Sequence, residues 1–363
     1  MKKTIVISAI NFFEGGPLSI LNDCVSYLES NLADQYNVIV YVHKVNLFKS
    51  VKISFKELPN SRKSYIYRLY YEYIWFYFQS IKTKPFLWLS LHDITPNVKA
   101  NIRAVYCHNP SPFYKITKRE FFLEPTFGFF NLFYKNLYRI NLNKNKYVIV
   151  QQNWLRDIFR NNFNYKSQII VAPPKVSINV DNKILINSQL TKHIFFFPSL
   201  PRVFKNFECV CDASRLLSEK KLNFELLLTI SGNENKYAYL IFEKYKDIEK
   251  IKFGGLMPRE MVLNKLQECT ALVFPSKLET WGLPITEAKL FDKPILVSDL
   301  PYAHETVGNY EKVSFFNPNN SVQLANLMEK MIKDENVFNG NNLKSISSPV
   351  ASDWHEIFNI LLS

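Results

Sequence analysis

The chain has 363 residues, 47% of them hydrophobic and 21% charged, which excludes a disordered polymer and is too long for one core of ordinary size. A formal net charge of +13 asks for an anionic partner, whether nucleic acid, an acidic membrane surface or a phosphorylated small molecule. The five cysteines, Cys24, Cys107, Cys209, Cys211 and Cys269, include no C-x-x-C pair, so reduced thiols in a cytosolic protein are expected in place of a disulfide or zinc framework.

The opening MKKTIVISAI imitates a signal peptide, but its apolar run is short and NFFEGG follows without a small-residue cleavage site. A first buried strand is the better expectation. No stretch reaches the roughly 18 apolar residues a spanning helix needs, so the protein is read as cytoplasmic, soluble or peripheral. Short apolar runs then alternate with helical-period segments. Strands are expected at 3–10, 37–42, 86–91, 102–107, 146–151 and 169–173, with helices between them such as 17–30 and 154–161. The two prolines and polar run of 172–192 suggest a linker. The alternation resumes with strands at 193–199, 224–231, 250–255, 271–276, 294–299 and 312–316, helices such as 206–217 and 322–332, and an amphipathic tail, ASDWHEIFNILLS. Runs buried on both faces and separated by helices indicate parallel sheets, so the fold class is α/β with two doubly wound, Rossmann-like domains. Ligands of such sheets bind beyond the carboxyl ends of the strands.

One segment departs from this rhythm. RKSYIYRLYYEYIWFYFQSIKTK (62–84) crowds aromatics into a helical run with basic residues at both ends. A core helix of the first domain is favoured, because aromatics occur nearly all round it. A membrane-interface helix is the alternative.

The chemistry concentrates in ETWGLPITEA (279–288), a strand exit followed by a helix start. A helix N-terminus exposes unpaired N–H groups and favours phosphate. Gly282 removes bulk where a ligand would approach the backbone, and Pro284 suits a first turn. Carboxylates repel phosphate, so Glu279 and Glu287 are better aimed at vicinal hydroxyls, one for a ribose and one for a sugar. On spacing alone, a plain loop glutamate and a dipole-complementing glutamate would serve as well.

PSKLETWGLPITEAKLFDKPILVSDLPYAHETVG (275–308) closely resembles the E-x7-E signature of family 4 glycosyltransferases, retaining enzymes of the GT-B fold. The resemblance implies two Rossmann-like domains facing a central cleft: 1–175 for the acceptor, 190–345 for the nucleotide-sugar, and a last helix, 346–363, returning to the first domain. It assigns Glu287 to the ribose, Glu279 to the donor-sugar hydroxyls, and backbone amides of Thr280, Trp281, Gly282 and Leu283 to the sugar and diphosphate. Trp281 stands where the family usually has Phe. In SLPRVFKN (199–206), Lys205 falls on the phosphate-binding lysine, Ser199 on the place of its partner arginine, and Arg202 is the candidate substitute. His108 matches the active-site histidine, and Gly15-Gly16 the glycine loop over diphosphate and acceptor. Glu14 and His92 are placed on the acceptor side, His92 alternatively as a supporting residue. Gly232, Asn233 and Leu256 are assigned to the nucleotide pocket.

The implied activity is metal-independent, retaining transfer of a hexose from a GDP, UDP or dTDP sugar to a glycan acceptor. That acceptor would be undecaprenyl-diphosphate-linked, in O-antigen or capsule synthesis, with an anionic inner-membrane surface as a further partner. No Asp-x-Asp tripeptide offers a divalent cation an oxygen cage, and no cofactor is expected. The rivals are a GT-B nucleotide-sugar epimerase and a basic nucleic-acid- or membrane-binding protein. No zinc-finger spacing, RNP-like run or arginine-rich block supports nucleic acid, and none is expected as partner.

Overall fold

Val-, Ile- and Phe-rich runs without polar alternation bury both faces of a strand, and nearly every expected run does so here. The computed structural model describes residues 2–174, 192–341, 343 and 346–363. Among these, β1 (Thr4–Ala9), β2 (Asn37–Val42), β3 (Ser54–Glu57), β4 (Leu87–Ser90), β5 (Ile102–Cys107), β6 (Tyr147–Val150) and β7 (Gln168–Val171) form one sheet in the order β3-β2-β1-β4-β5-β6-β7. A second sheet contains β8 (His193–Phe197), β9 (Phe224–Leu228), β10 (Ile251–Phe253), β11 (Ala271–Phe274), β12 (Ile295–Ser298) and β13 (Val313–Phe316), ordered β10-β9-β8-β11-β12-β13. Every pairing within them is parallel. The unexpected strand, β3, has the sequence SFKE at the sheet edge. Its charged side chains are exposed, as an edge strand tolerates and a hydrophobic pattern misses.

The chain divides into two compact units, 1–112 with 133–175 and 346–363, and 113–132 with 176–345. Residues 113–132, assigned by sequence to the first domain, thus group with the second sheet. The expected linker, 172–192, falls largely on 175–191, outside the described residues. In the first unit, the helix Trp354–Leu362 is capped by the Asp353 side chain and buries Ile357, Phe358 and Leu361 in the core around β1 and β2. Its approach is pinned by Ala351 N–H donating to Val171 O at 2.9 Å. Buried Arg156 adds donations to Ser347 O and Pro349 O at 2.5 and 2.6 Å.

The aromatic segment folds as the helix Tyr65–Tyr70, a wide π turn over Tyr71–Trp75 and the helix Phe76–Thr83. Its fully inward positions are Arg68, Glu72, Phe76 and Ser80, three of them polar, whereas Tyr65, Ile66, Tyr70, Ile74, Phe78 and Ile81 face outward. The core-helix expectation therefore holds for one face only. Burying Arg68 and Glu72 together is tolerable because each has polar partners inside. Among the described residues, no helix is long and apolar enough to cross a membrane.

Candidate functional site

In the second unit the chain runs from β8 to β9 and β10 on one side, then returns to build β11, β12 and β13 on the other. The connections leaving β8 and β11, which are neighbours, therefore diverge and open a crevice at the strands' carboxyl ends. The two loops that border it are 198–206 and 275–282, the segments singled out by sequence. They are tied to each other and to the sheet. Lys277 N–H donates to Phe204 O at 2.7 Å, and the buried Asn206 amide donates to Pro275 O and Pro318 O at 3.1 and 2.8 Å. Ser199 N–H donates to Thr229 Oγ1 at 2.8 Å, and Asn235 holds Pro201 O at 2.7 Å. A loop anchored at so many backbone positions presents its side chains in fixed geometry.

Across this crevice Lys205 Nζ lies 2.5 Å from Glu279 Oε1, both side chains largely buried. The two residues are 74 apart in sequence and meet because β8 and β11 are adjacent. Gly282, at φ +80°, ends the loop in a left-handed conformation that other residues rarely adopt. A Cβ there would come within 3.1 Å of Ile285. The helix Leu283–Leu290 starts immediately after it, with Pro284 in its first turn. Trp281 is fixed by its indole N–H donating to Thr286 Oγ1 at 2.9 Å and by its carbonyl accepting from the Thr306 hydroxyl. Thr280 is half-buried and Leu283 exposed beside them.

Glu287 is buried on that helix, and Arg259 Nη2 sits 2.7 Å from its Oε1. Arg259 carried no motif and went unnoticed in the sequence. Arg202 is engaged elsewhere within the unit: its Nε donates to Glu124 Oε2 at 2.6 Å, and Glu124 Oε1 also accepts from Val203 N–H at 2.7 Å. Its guanidinium packs over Phe127 and Phe204. A cation held this way braces the loop. Like Lys205, Arg202 thus meets a carboxylate that an arriving phosphate would have to displace.

The Ser231–Asn233 turn is closed by Glu234, which accepts from Ser231 N–H, Ser231 Oγ and Gly232 N–H at 2.6, 2.9 and 3.0 Å. Burial alone would raise the Glu234 carboxyl. The backbone and hydroxyl donors outweigh it and hold the group below the usual carboxylate range. Gly232 is buried, at φ +97°, while Asn233 and Leu256 are exposed.

The first unit repeats the topology. β1 and β4 are adjacent with diverging connections. Gly15, at φ +64°, opens the helix Gly15–Tyr27, and Glu14 is its N-cap position without a side-chain cap. A Cβ on Gly16 would meet no atom within 4 Å, so packing alone does not ask for glycine there. His108, just past β5, packs its ring against Phe12 at 5.3 Å. Its Nδ1 is 3.7 Å from Asp93 Oδ1, and that oxygen also accepts from His108 N–H and Asn109 N–H at 2.9 and 3.0 Å. Asp93 carries no motif that marks it in the sequence. Its positive φ of 74°, which carries it under the His108 loop, has no sequence signal.

His92 is 1% exposed and both ring nitrogens are taken, Nδ1 by Ser8 O at 3.0 Å and Nε2 by Glu72 Oε1. It has no surface to offer an acceptor, so the acceptor-side expectation gives way to a supporting role beneath the strand ends. Burial pushes the Glu72 carboxyl well up despite the opposing pull of Arg68. Burial, then the charges of Arg68 and His108, hold His92 well below its ordinary value. Both shifts favour the uncharged form of the pair, in which the acid donates to Nε2 and Nδ1–H donates to Ser8 O.

Residues 181–345 match the family described as "Glycosyl transferases group 1". The second unit contains a group 1 glycosyl transferase domain. The chain is 22% identical over 185 residues to the O-antigen chain mannosyltransferase RfbU of Salmonella typhimurium, a match covering 49% of either chain. It thus spans about half the length of that curated relative. Its fold is similar to that of sucrose-phosphate synthase from Thermosynechococcus elongatus, with a TM-score of 0.66 at 14% identity over 92% of this chain and 90% of that one. It is similar also to Anabaena HepE in complex with UDP-glucose, at 0.54 and 15% over 91% and 90%. The two parallel-sheet α/β units are those of the GT-B fold. In the group 1 domain, the matched segment contains both glutamates, Lys205 and Arg259.

A carboxyl raised in the folded protein binds its proton more tightly than in the unfolded chain. Stability therefore falls as pH rises from the ordinary glutamate value toward the raised one. Glu72→Gln keeps a neutral hydrogen-bonding group and removes that slope. The thermal midpoint of the variant should gain on the native protein between about pH 5 and pH 8. A difference independent of pH would contradict a protonated Glu72.

Proposed function

We propose that the protein is a glycosyltransferase that moves a hexose from a nucleotide-diphosphate sugar to a glycan acceptor with retention of anomeric configuration. The observation that carries the reading is the meeting of Lys205 and Glu279 at the β8/β11 crevice, beside the N-terminus of Leu283–Leu290. Cleaving a sugar–phosphate bond leaves negative charge on the departing diphosphate, and a fixed cation with helix-end N–H groups acts mainly on that developing charge. Lys205 and the backbone of 280–283 take this role. Once phosphate draws Lys205, Glu279 accepts from hydroxyls of the donor sugar, and Glu287 accepts from the ribose. The nucleotide base lies against the backbone of 231–233 and 254–257. His108, steadied by Asp93, is assigned a hydrogen bond to the donor sugar, and the open space at Gly16 suits a ligand's approach to that loop.

RfbU's name, O-antigen chain mannosyltransferase, and the UDP-glucose carried by HepE support a nucleotide-sugar donor and a role in surface-polysaccharide synthesis. The acceptor proposed is a lipid-linked glycan, on an undecaprenyl-diphosphate or similar carrier. The outward aromatics of 65–81 with Lys63, Lys82 and Lys84 nearby suit an anionic membrane surface on the cytoplasmic side. Transfer without a metal is proposed because no Asp-x-Asp is present and Lys205 supplies charge at the leaving group. An epimerase would need no carbohydrate acceptor site and is the less economical reading of the same crevice.

A thermal-shift panel of GDP, UDP and dTDP sugars should show selective stabilisation by one donor. With that donor, the product should keep the anomeric configuration by NMR and turnover should survive EDTA. Lys205→Ala and Glu279→Ala should each lower turnover about 10²–10³-fold. No selective donor, or full activity in both variants, would remove the proposal, and loss of turnover in EDTA would remove its metal-independent part. Flotation at low salt should carry the protein with anionic vesicles and not with neutral ones. Failure to float with either contradicts the membrane contact.

A further inference from the structure

Arg259 is the first residue of the helix Arg259–Glu268, where exposed N–H groups already carry partial positive charge and a cation is locally disfavoured. Nothing in the helix asks for it there. Its partner lies outside that helix: Nη2 is 2.7 Å from Oε1 of Glu287, whose side chain is 3% exposed while that of Arg259 is 59% exposed. Oε1 is buried and makes no well-angled hydrogen bond, so the guanidinium charge is what answers it. A carboxylate this deep needs a nearby counter-charge to offset its lost hydration and to orient it. Basic side chains on the elements packed around it are committed elsewhere: Lys289 to Thr306 O at 2.8 Å, Lys265 to Glu268 at 2.7 Å, and His304 to Asp299 and Asn341, both at 2.7 Å.

We infer that Arg259 is a positioning residue for the donor's ribose. It holds Glu287 by the buried Oε1, which leaves the second oxygen to accept from the vicinal ribose hydroxyls. An ionised, clamped acceptor binds a diol more strongly than a neutral or wandering carboxyl. More than half of the Arg259 side chain is in solvent, so shortening it opens no cavity, and Arg259→Lys keeps a counter-charge beside the buried Glu287. The inference rests on the reading that Glu287 takes the ribose.

The test is calorimetric titration of the full chain with UDP, GDP and their 2′,3′-dideoxy counterparts, for the native protein, Glu287→Gln, Arg259→Gln and Arg259→Lys. The native protein should prefer the ribonucleotide, and Glu287→Gln should abolish that preference. Arg259→Gln should weaken ribonucleotide binding about tenfold, the worth of one charge-assisted hydrogen bond, with little change for the dideoxy form. Arg259→Lys should restore most of the loss, which a purely structural role would not produce. If Glu287→Gln abolishes the preference but Arg259→Gln leaves it intact or tightens binding, the role of Arg259 is overturned while the ribose reading stands. If the native protein shows no preference, or Glu287→Gln keeps it, the ribose reading fails and this inference falls with it.

Discussion

A parallel sheet whose connections reverse direction between two neighbouring strands leaves a gap that its own backbone cannot fill. The rest of this protein's chemistry depends on that gap. In the group 1 domain it lies between β8 and β11, and the chain places a lysine on one side and a glutamate on the other. Neither residue is near the other in sequence. The fixed loop anchors around Asn206, Ser199 and Lys277 give the pair its geometry, so the site is a property of the sheet order before it is a property of any side chain.

The charges of the crevice are paired in a consistent way. Lys205 meets Glu279, Arg259 meets Glu287, and Arg202 meets Glu124. Leaving largely buried carboxylates without counter-charge would be costly, and pairing them removes most of that cost. A diphosphate arriving at such a site can exchange partners with Lys205, releasing Glu279 for hydroxyls. In the first unit the same problem is met differently: burial pushes the Glu72 carboxyl up and holds His92 down, which favours an uncharged pair, and the charge of Arg68 is answered by His92 O and Tyr134.

Much of this was legible in the sequence. Uninterrupted apolar runs gave away the buried strands because that signal is local, and the resemblance of 275–308 to the E-x7-E signature, not the spacing alone, pointed to the loops that border the crevice. The misses are contacts made between distant segments. SFKE pairs as β3 through backbone bonds that side-chain pattern does not record. Residues 113–132 join the second unit through contacts such as Glu124 with Arg202, invisible in either segment alone. Arg259, Asp93 and the supporting place of His92 are likewise set by which strand ends meet. The aromatic segment misled for a related reason: its inward face is the polar one, and periodicity assigns faces by hydrophobicity.

The claim at the centre is that a nucleotide-sugar's diphosphate is gripped by the two loops flanking the β8/β11 gap. Hydrogen–deuterium exchange of the protein with and without its donor reads those loops directly. The account predicts donor-dependent protection of 199–206 and 275–283 together, with the remainder of the second sheet little changed. Protection confined to other segments, with these two loops exchanging as before, would contradict it.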